Sequence, residues 1–257
     1  MDDYESFKKA VYSLTKIDLS SYKEKQMRRR IDAIATKNGC SNYEDYVKVL
    51  RSDKEKFEQF VNFLTINVSE FYRNPDQWKL MDQKVIPKLI KEQGRRLKIW
   101  SAACSTGDEP YTIAMILQKY LPKMQYEIIA TDIDDQVLDK AANGLYHAKS
   151  ISGVPDEYMQ FFEKISNDIY QISDKIINMV KFKQHNLLKD PYITGCDLIV
   201  CRNVLIYFTD EAKDDIFMKF NNALNKNGIL FIGNTEQILT PKAFGFTTIK
   251  SFFYTKE

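Results

Sequence analysis

The sequence predicts an α/β protein, a doubly wound and mostly parallel sheet preceded by a small all-α domain. Three observations carry this. Residues 1 to about 75 show helical periodicity throughout. From about Leu97, short apolar runs alternate with amphipathic helices in a βαβα rhythm. Most of those apolar runs end in small or polar residues. With 257 residues, 44% of them hydrophobic, the chain is long enough for a medium domain with a smaller companion.

The helical region reads in order. "SSYKEKQMRRRIDAIATKNG" places Ser20 or Ser21 as N-cap, Met27, Ile31, Ile34 and Ala35 on one face, and Gly39 as the stop. In "SNYEDYVKVL", Ser41 and Glu44 have the spacing of a capping box ahead of the stripe Tyr43, Tyr46, Val47, Leu50. "DKEKFEQFVNFL" sets Phe57, Phe60, Val61 and Leu64 on a common face. The expected organisation is a helical domain at 1–75, a joining helix at 76–96 and a sheet domain at 97–257.

In the sheet domain "LKIWSA" is the first strand, followed by a helix over 110–120 with Pro110 in its first turn. "YEIIATDID" is the second strand, and "DQVLDKAANG" a helix ending at Gly144. "CDLIVCRN" is a further buried strand. "DEAKDDIFMKFNNALNKNG" predicts a helix closed by Asn227-Gly228, then the strand "ILFIG" and closing strands in "FGFTTIKSFFYTKE". Over 146–186 the rhythm breaks, and short alternating stretches predict a small β-subdomain inserted around 147–186.

Composition excludes several classes. The 37 basic and 35 acidic residues balance to +2, too even for a general nucleic-acid binder. No apolar run approaches the ~18 residues of a membrane span, and "MDDYESFKKA" lacks the apolar stretch of a signal peptide. Cys40, Cys104, Cys196 and Cys201 show no C-x-x-C spacing, and with only His147 and His185 no metal site is expected. The expected location is a reducing cytoplasm.

The turn "SAACSTGDE" after the first strand carries the chemistry. Gly107 is its one glycine, so it is not the G-x-G-x-x-G of a dinucleotide site, and no G-K-[ST] follows. Asp108 and Glu109 at the helix start would repel a phosphate. Asp132, at the end of the second strand, lies 25 residues beyond Gly107, near the ~20-residue spacing at which an acid meets a ribose hydroxyl. A nucleoside without phosphates fits: small residues for close approach, an acid for the ribose, Glu109 for an ammonium. S-adenosylmethionine is such a ligand. The alternative is that Asp132 and Asp134 only cap the next helix.

Five motifs, "NVSEFYRN" (67–74), "SAACSTGDEPYTIA" (101–114), "ATDID" (130–134), "HNLL" (185–188) and "CRNVLIYF" (201–208), together resemble the CheR family of chemoreceptor glutamate O-methyltransferases. The resemblance covers nearly the whole chain, with "GDEP" standing where "GEEP" is commoner. It implies a class I S-adenosylmethionine-dependent methyltransferase domain behind an N-terminal docking domain. The implied reaction moves a methyl group to glutamate carboxylates of membrane chemoreceptors and leaves S-adenosylhomocysteine. A methyltransferase acting on a small molecule or an RNA would share the cofactor site but not the helical domain.

The resemblance also implies roles. Asn67, Ser69 and Arg73 would reach over the cofactor, and Ala103 would lie against it in the turn. Glu109 would hold the methionine amino group and Asp132 the ribose hydroxyls. Asn186, Leu187, Arg202 and Asn203 would border the adenosine and the reaction centre. Arg73 and Tyr207 would be the catalytic pair. Arg28, Arg29 and Arg30 would present a basic helix to the acidic receptor bundle, and the inserted strands resemble a subdomain that grips a receptor's C-terminal peptide in some members. Methyl-accepting chemoreceptors are the expected partners of a monomer, with no nucleic acid and no membrane insertion.

Overall fold

The computed structural model describes residues 3–94, 96–122 and 126–257. Met1, Asp2, Arg95 and 123–125, which fall in the expected helical domain, the joining helix and the loop before the second strand, lie outside the described residues. The chain forms two compact units, Met1–Asn67 with Val204–Asp215, and Val68–Asn203 with Ile216–Glu257.

The first unit contains α1 (Tyr4–Thr15), α2 (Glu24–Lys37), α3 (Tyr43–Ser52) and α4 (Lys54–Thr65). An aromatic cluster holds it: Phe7 stacks on Tyr43 at 4.6 Å between centroids, and Phe60 meets Phe7 and Tyr46 edge-on at 6.2 and 5.6 Å. Two caps differ from expectation. Ser20 and Ser21 lie in a 3₁₀ turn capped by Asp18, and α2 starts after Lys23 with no side-chain cap. The cause is a tether: Tyr22 is extended and pairs with Phe208, while Lys23 N–H donates to Tyr207 O at 2.9 Å. At α3 the N-cap is Asn42, whose side chain accepts from Asp45 N–H at 2.8 Å, so Glu44 is left to pair with Lys48.

The second unit begins with α5 (Pro75–Leu80), which runs through a π-helical stretch (Met81–Val85) into α6 (Ile86–Gln93). Then follow β1 (Leu97–Ala102), α7 (Asp108–Tyr120), β2 (Tyr126–Asp132), α8 (Asp135–Asn143), β3 (Leu145–His147), α9 (Ala148–Ile151), α10 (Asp156–Met159), β4 (Phe162–Lys164) and β5 (Ile169–Ile172). The chain continues through α11 (Asp174–Ile177), β6 (Val180–Gln184), β7 (Cys196–Cys201), α12 (Asp210–Ala223), β8 (Leu224–Ile232), β9 (Phe246–Lys250) and β10 (Phe253–Lys256).

Among the described residues the main sheet has the order β6-β2-β1-β7-β8-β10-β9. The first five strands are parallel and β10 is antiparallel to both neighbours. Numbered within that sheet, the strands run third, second, first, fourth, fifth, seventh, sixth, a doubly wound order. The order reverses between β1 and β7, which opens a crevice at their carboxyl ends. Alternate residues of β1 face opposite layers. Ile99 joins Ile113, Leu117, Trp78 and Ile86 in one core, while Trp100 packs edge-on against Phe220 and Tyr192 on the other side. Each such fully buried large side chain contributes about 1.5–3 kcal/mol.

Two expected boundaries move. Of the stretch expected as an insertion, β6 joins the main sheet beside β2; the separate antiparallel sheet β3-β5-β4 spans 145–172 and includes α9 and α10. The helix expected to close at Asn227-Gly228 ends at Ala223. Leu224 already pairs with Cys196, and the Asn225 amide donates to Gly195 O and Asp197 Oδ1 at 3.1 and 2.7 Å. No helix among the described residues is long and apolar enough to cross a membrane.

Candidate active site at the carboxyl ends of the strands

The turn leaving β1 is held by its neighbour strand. Cys104 N–H donates to Thr131 O at 2.9 Å and Ser105 N–H to Asp132 Oδ2 at 2.8 Å. Ala103 (φ 60°), Ser105 (φ 50°) and Gly107 (φ 86°) all lie in the left-handed region, a strain of about 1–3 kcal/mol for each non-glycine residue. A Cβ on Gly107 would stand 2.8 Å from Ala141 Cβ and 3.1 Å from the Tyr111 ring. Tyr146, from the inserted sheet, braces the same turn by donating its hydroxyl to Thr106 O at 2.6 Å. Nothing in the spacing of the sequence indicates this brace.

Three carboxylates surround the turn. Glu109, in the first turn of α7, accepts from Ser101 Oγ at 2.9 Å, and Arg202 Nη1 lies 3.6 Å from its other oxygen. Burial pushes its carboxyl up to about 7 against the opposing pull of Arg202 and Ser101. Burial likewise raises Asp132 to about 6, although the Ser105 and Asp134 amides donate to it. Asp108 is raised in the same way, with the Thr106 and Ser69 hydroxyls opposing the shift. Asp134 caps α8 by accepting from Gln136 N–H at 3.0 Å. Asp132 thus faces the turn while Asp134 serves the helix.

Arg202 follows β7 and is buried. Its Nη2 donates to Arg73 O at 2.7 Å and to Asn74 Oδ1 and Gln77 Oε1 at 3.1 Å. Its guanidinium lies 5.2 Å from the Trp78 ring and 4.8 Å from the Phe231 ring. Arg73 sits between Tyr72 (φ 55°) and Asn74 (φ 63°), and its own Nη1 donates to Val68 O at 3.2 Å. Arg73, Arg202, Glu109 and Asp132 are therefore gathered at one end of the sheet, with Ser69 beside Asp108. Asn203 (φ 63°) donates its N–H to Glu236 Oε2 at 2.7 Å. Glu236 was missed by sequence reasoning because "GNTEQ" reads as a polar loop.

The "HNLL" segment follows β6. His185 N–H donates to Asp132 O at 2.8 Å, and its ring packs edge-on to Trp100 with Nε2 3.2 Å from Pro191 O. Asn186 accepts from Leu188 N–H at 2.9 Å, and the buried Leu187 accepts from the Tyr192 hydroxyl at 2.8 Å. Two other expected site residues belong to the helical unit. Asn67 donates to Thr65 Oγ1 at 2.8 Å, and Tyr207 ends the 3₁₀ turn Leu205–Tyr207. In that unit Arg28 lies over the Tyr4 ring and Arg30 over the Phe63 ring, donating to Phe63 O at 2.6 Å. Arg29 is exposed beside the exposed Lys23 and Lys25.

Residues 67–253 match the family described as "CheR methyltransferase, SAM binding domain", and residues 2–65 the "CheR methyltransferase, all-alpha domain". A chemotaxis protein methyltransferase of Listeria monocytogenes is 40% identical over 99% of this chain and 97% of its own. One from Borreliella burgdorferi is 32% identical over 92% of this chain and 88% of its own. The solved Rickettsia typhi PKMT2 complex with AdoHcy aligns with 54% of this chain and 21% of its own, at 19% identity and a TM-score of 0.35. With both family regions matched in order across almost its whole length, the chain belongs to the CheR family of S-adenosylmethionine-dependent chemotaxis methyltransferases.

Proposed function

We propose that this protein transfers the methyl group of S-adenosylmethionine to glutamate side chains of membrane chemoreceptors, forming methyl esters that serve sensory adaptation in the cytoplasm. The observation that carries this is the acidic turn. Glu109 and Asp132 are buried carboxyls whose charge the chain itself compensates only in part, so their ionised forms call for a cation and for hydroxyl donors. Ser105 Oγ and Arg202 Nε are buried beside them without partners among the described residues. This donor set fits an adenosine bearing a cationic amino acid. When bound, S-adenosylmethionine supplies an electrophilic methyl on a positively charged sulfur.

The chain's own residues do the rest. Glu109 binds the amino group and Asp132 the ribose. Ala103, Asn186, Leu187, Arg202 and Asn203 border the adenosine, and Asn67 and Ser69 approach from the segment that precedes α5. Arg73 and Tyr207 hold one oxygen of the acceptor carboxylate while the other attacks. No general base is required, because a glutamate with a pKa near ~4.3 is already ionised at neutral pH. His185 lies against Trp100 with Nε2 3.2 Å from Pro191 O, and His147 accepts from Lys149 N–H. Sulfonium and carboxylate cancel charge as they react, so a water-poor pocket that aligns them favours transfer.

Exposed Arg29, with Lys23 and Lys25, offers a basic face to an acidic receptor bundle, while Arg28 and Arg30 anchor that helix in its own unit. The β3-β5-β4 sheet provides edge strands suited to an extended receptor tail. Incubation with radiolabelled S-adenosylmethionine and membranes carrying the host's chemoreceptors tests the proposal. Label on receptor bands, released as methanol by mild base, supports it; base-stable label or unlabelled receptors would refute it.

A further inference from the structure

The strands β7 and β8 diverge just after their last paired residues, Cys201 and Ile232. Divergence takes the N–H groups of Asn203 and Gly233 out of the ladder, and a buried donor left unpaired is costly. One oxygen satisfies both. Glu236 Oε2 accepts from Asn203 N–H at 2.7 Å and from Gly233 N–H at 2.8 Å. Glu236 is 7% exposed, and its own N–H donates back to Gly233 O at 3.1 Å, closing the turn that aims the side chain. The space is filled: a Cβ on Gly233 would lie 2.5 Å from Glu236 Oε2 and 2.9 Å from Asn203 N.

This arrangement fixes Arg202 from both sides. Cys201 before it is held in the sheet, and Asn203 after it is held at φ 63° by the Glu236 carboxylate. A charged acceptor makes hydrogen bonds about twice as strong as a neutral one, which suits a backbone conformation that is otherwise strained. The Arg202 guanidinium in turn reaches Arg73 O, Asn74 and Gln77 on one side and Glu109 on the other.

We propose that Glu236 is a positioning residue of the cofactor site, clamping the backbone of Asn203 so that Arg202 and Asn203 present their side chains to the pocket. The proposal rests on the placement of Arg202 and Asn203 in that pocket made under Proposed function. Glu236 acts through these neighbours and not by touching the ligand.

Two substitutions separate reach from charge. Glu236→Gln keeps an oxygen within reach of both N–H groups and removes the charge. Glu236→Asp keeps the charge and withdraws the oxygen by one methylene. Calorimetric titration with S-adenosylhomocysteine, kcat and KM for S-adenosylmethionine, and thermal melts are compared for the full chain. Glu236→Asp should weaken binding by about tenfold or more and raise KM, at temperatures well below its melt, while Glu236→Gln, which keeps the reach and loses only the charge, should weaken binding several-fold less than Glu236→Asp does. Gly233→Ala, which places a methyl where Oε2 sits, should reproduce the Glu236→Asp defect. Parental affinity in Glu236→Asp, or an equal loss in Glu236→Gln, would overturn the clamp. Asn203→Ala is the control: if it binds normally, the placement of Asn203 in the pocket fails; if it binds weakly while Glu236→Asp is unaffected, the clamp alone fails.

Discussion

Raising the pH from about 6 to about 7.5 should tighten S-adenosylhomocysteine binding roughly fifteenfold. Glu109 must be ionised to hold an ammonium, and in the free protein its carboxyl is pushed up to about 7 by burial, with Arg202 and Ser101 opposing. A proton therefore competes with the ligand, and over this interval its loss is worth about eightfold in affinity. Asp132, raised to about 6, adds about another factor of two. The folded protein keeps the Glu109 proton to a higher pH than the unfolded chain does, so the sign for stability is the reverse. The ligand-free protein should lose up to about 3 kcal/mol as pH rises from about 4.5 to about 7, and the melting shift produced by ligand should widen over the same window. Isothermal titration in buffers of different ionisation enthalpy would show proton release on binding. Glu109→Gln should weaken binding and leave only about the twofold Asp132 slope. A flat profile in the parent protein, or affinity that falls with pH, would refute the reasoning.

Gly107→Ala forces a side chain onto a left-handed residue 2.8 Å from Ala141 Cβ, and should cost about 2 kcal/mol in a denaturation measurement along with cofactor affinity; an unchanged melt would contradict the close packing of that turn. Tyr146→Phe removes the 2.6 Å bond to Thr106 O and should cost about 1 kcal/mol and a few-fold in S-adenosylhomocysteine Kd, whereas unchanged values would mean the inserted sheet does not brace the site. Tyr207→Phe should lower kcat while leaving cofactor Kd unchanged, and the opposite split would remove Tyr207 from the reaction. Arg29→Glu should raise the KM for receptor with a steep salt dependence, and a salt-independent, parental KM would exclude docking through that helix.

The parallel strands were legible because β1, β2 and β7 each carry a short continuous apolar stretch, Ile99–Trp100, Ile128–Ala130 and Leu198–Cys201, as the buried middles of strands covered on both faces do. The strand ends were legible for a related reason: small and acidic residues following such runs mark the ligand end of an open sheet. Boundaries set by tertiary pairing were not. Nothing local distinguishes Ser20 as a cap from Ser20 in a 3₁₀ turn; the pairing of Tyr22 with Phe208, some 186 residues away in sequence, decides it. Asn227-Gly228 is good helix-stop chemistry, yet Leu224 is drawn into the sheet by Cys196 before the helix can reach it. Glu236 was invisible for the same reason, since its partners are two backbone N–H groups that become unpaired only when β7 and β8 separate.

Mapping the transferred group by mass spectrometry tests the central claim most directly. Purified receptor signalling domains would be incubated with this protein and S-adenosylmethionine carrying a deuterated methyl, then digested at acidic pH to preserve esters. Deuterated methyl esters are expected on glutamate side chains of the helical cytoplasmic bundle, and Arg73→Ala should abolish them. Deuterated methyl on nitrogen, or none on protein while cofactor binding is intact, would contradict the claim.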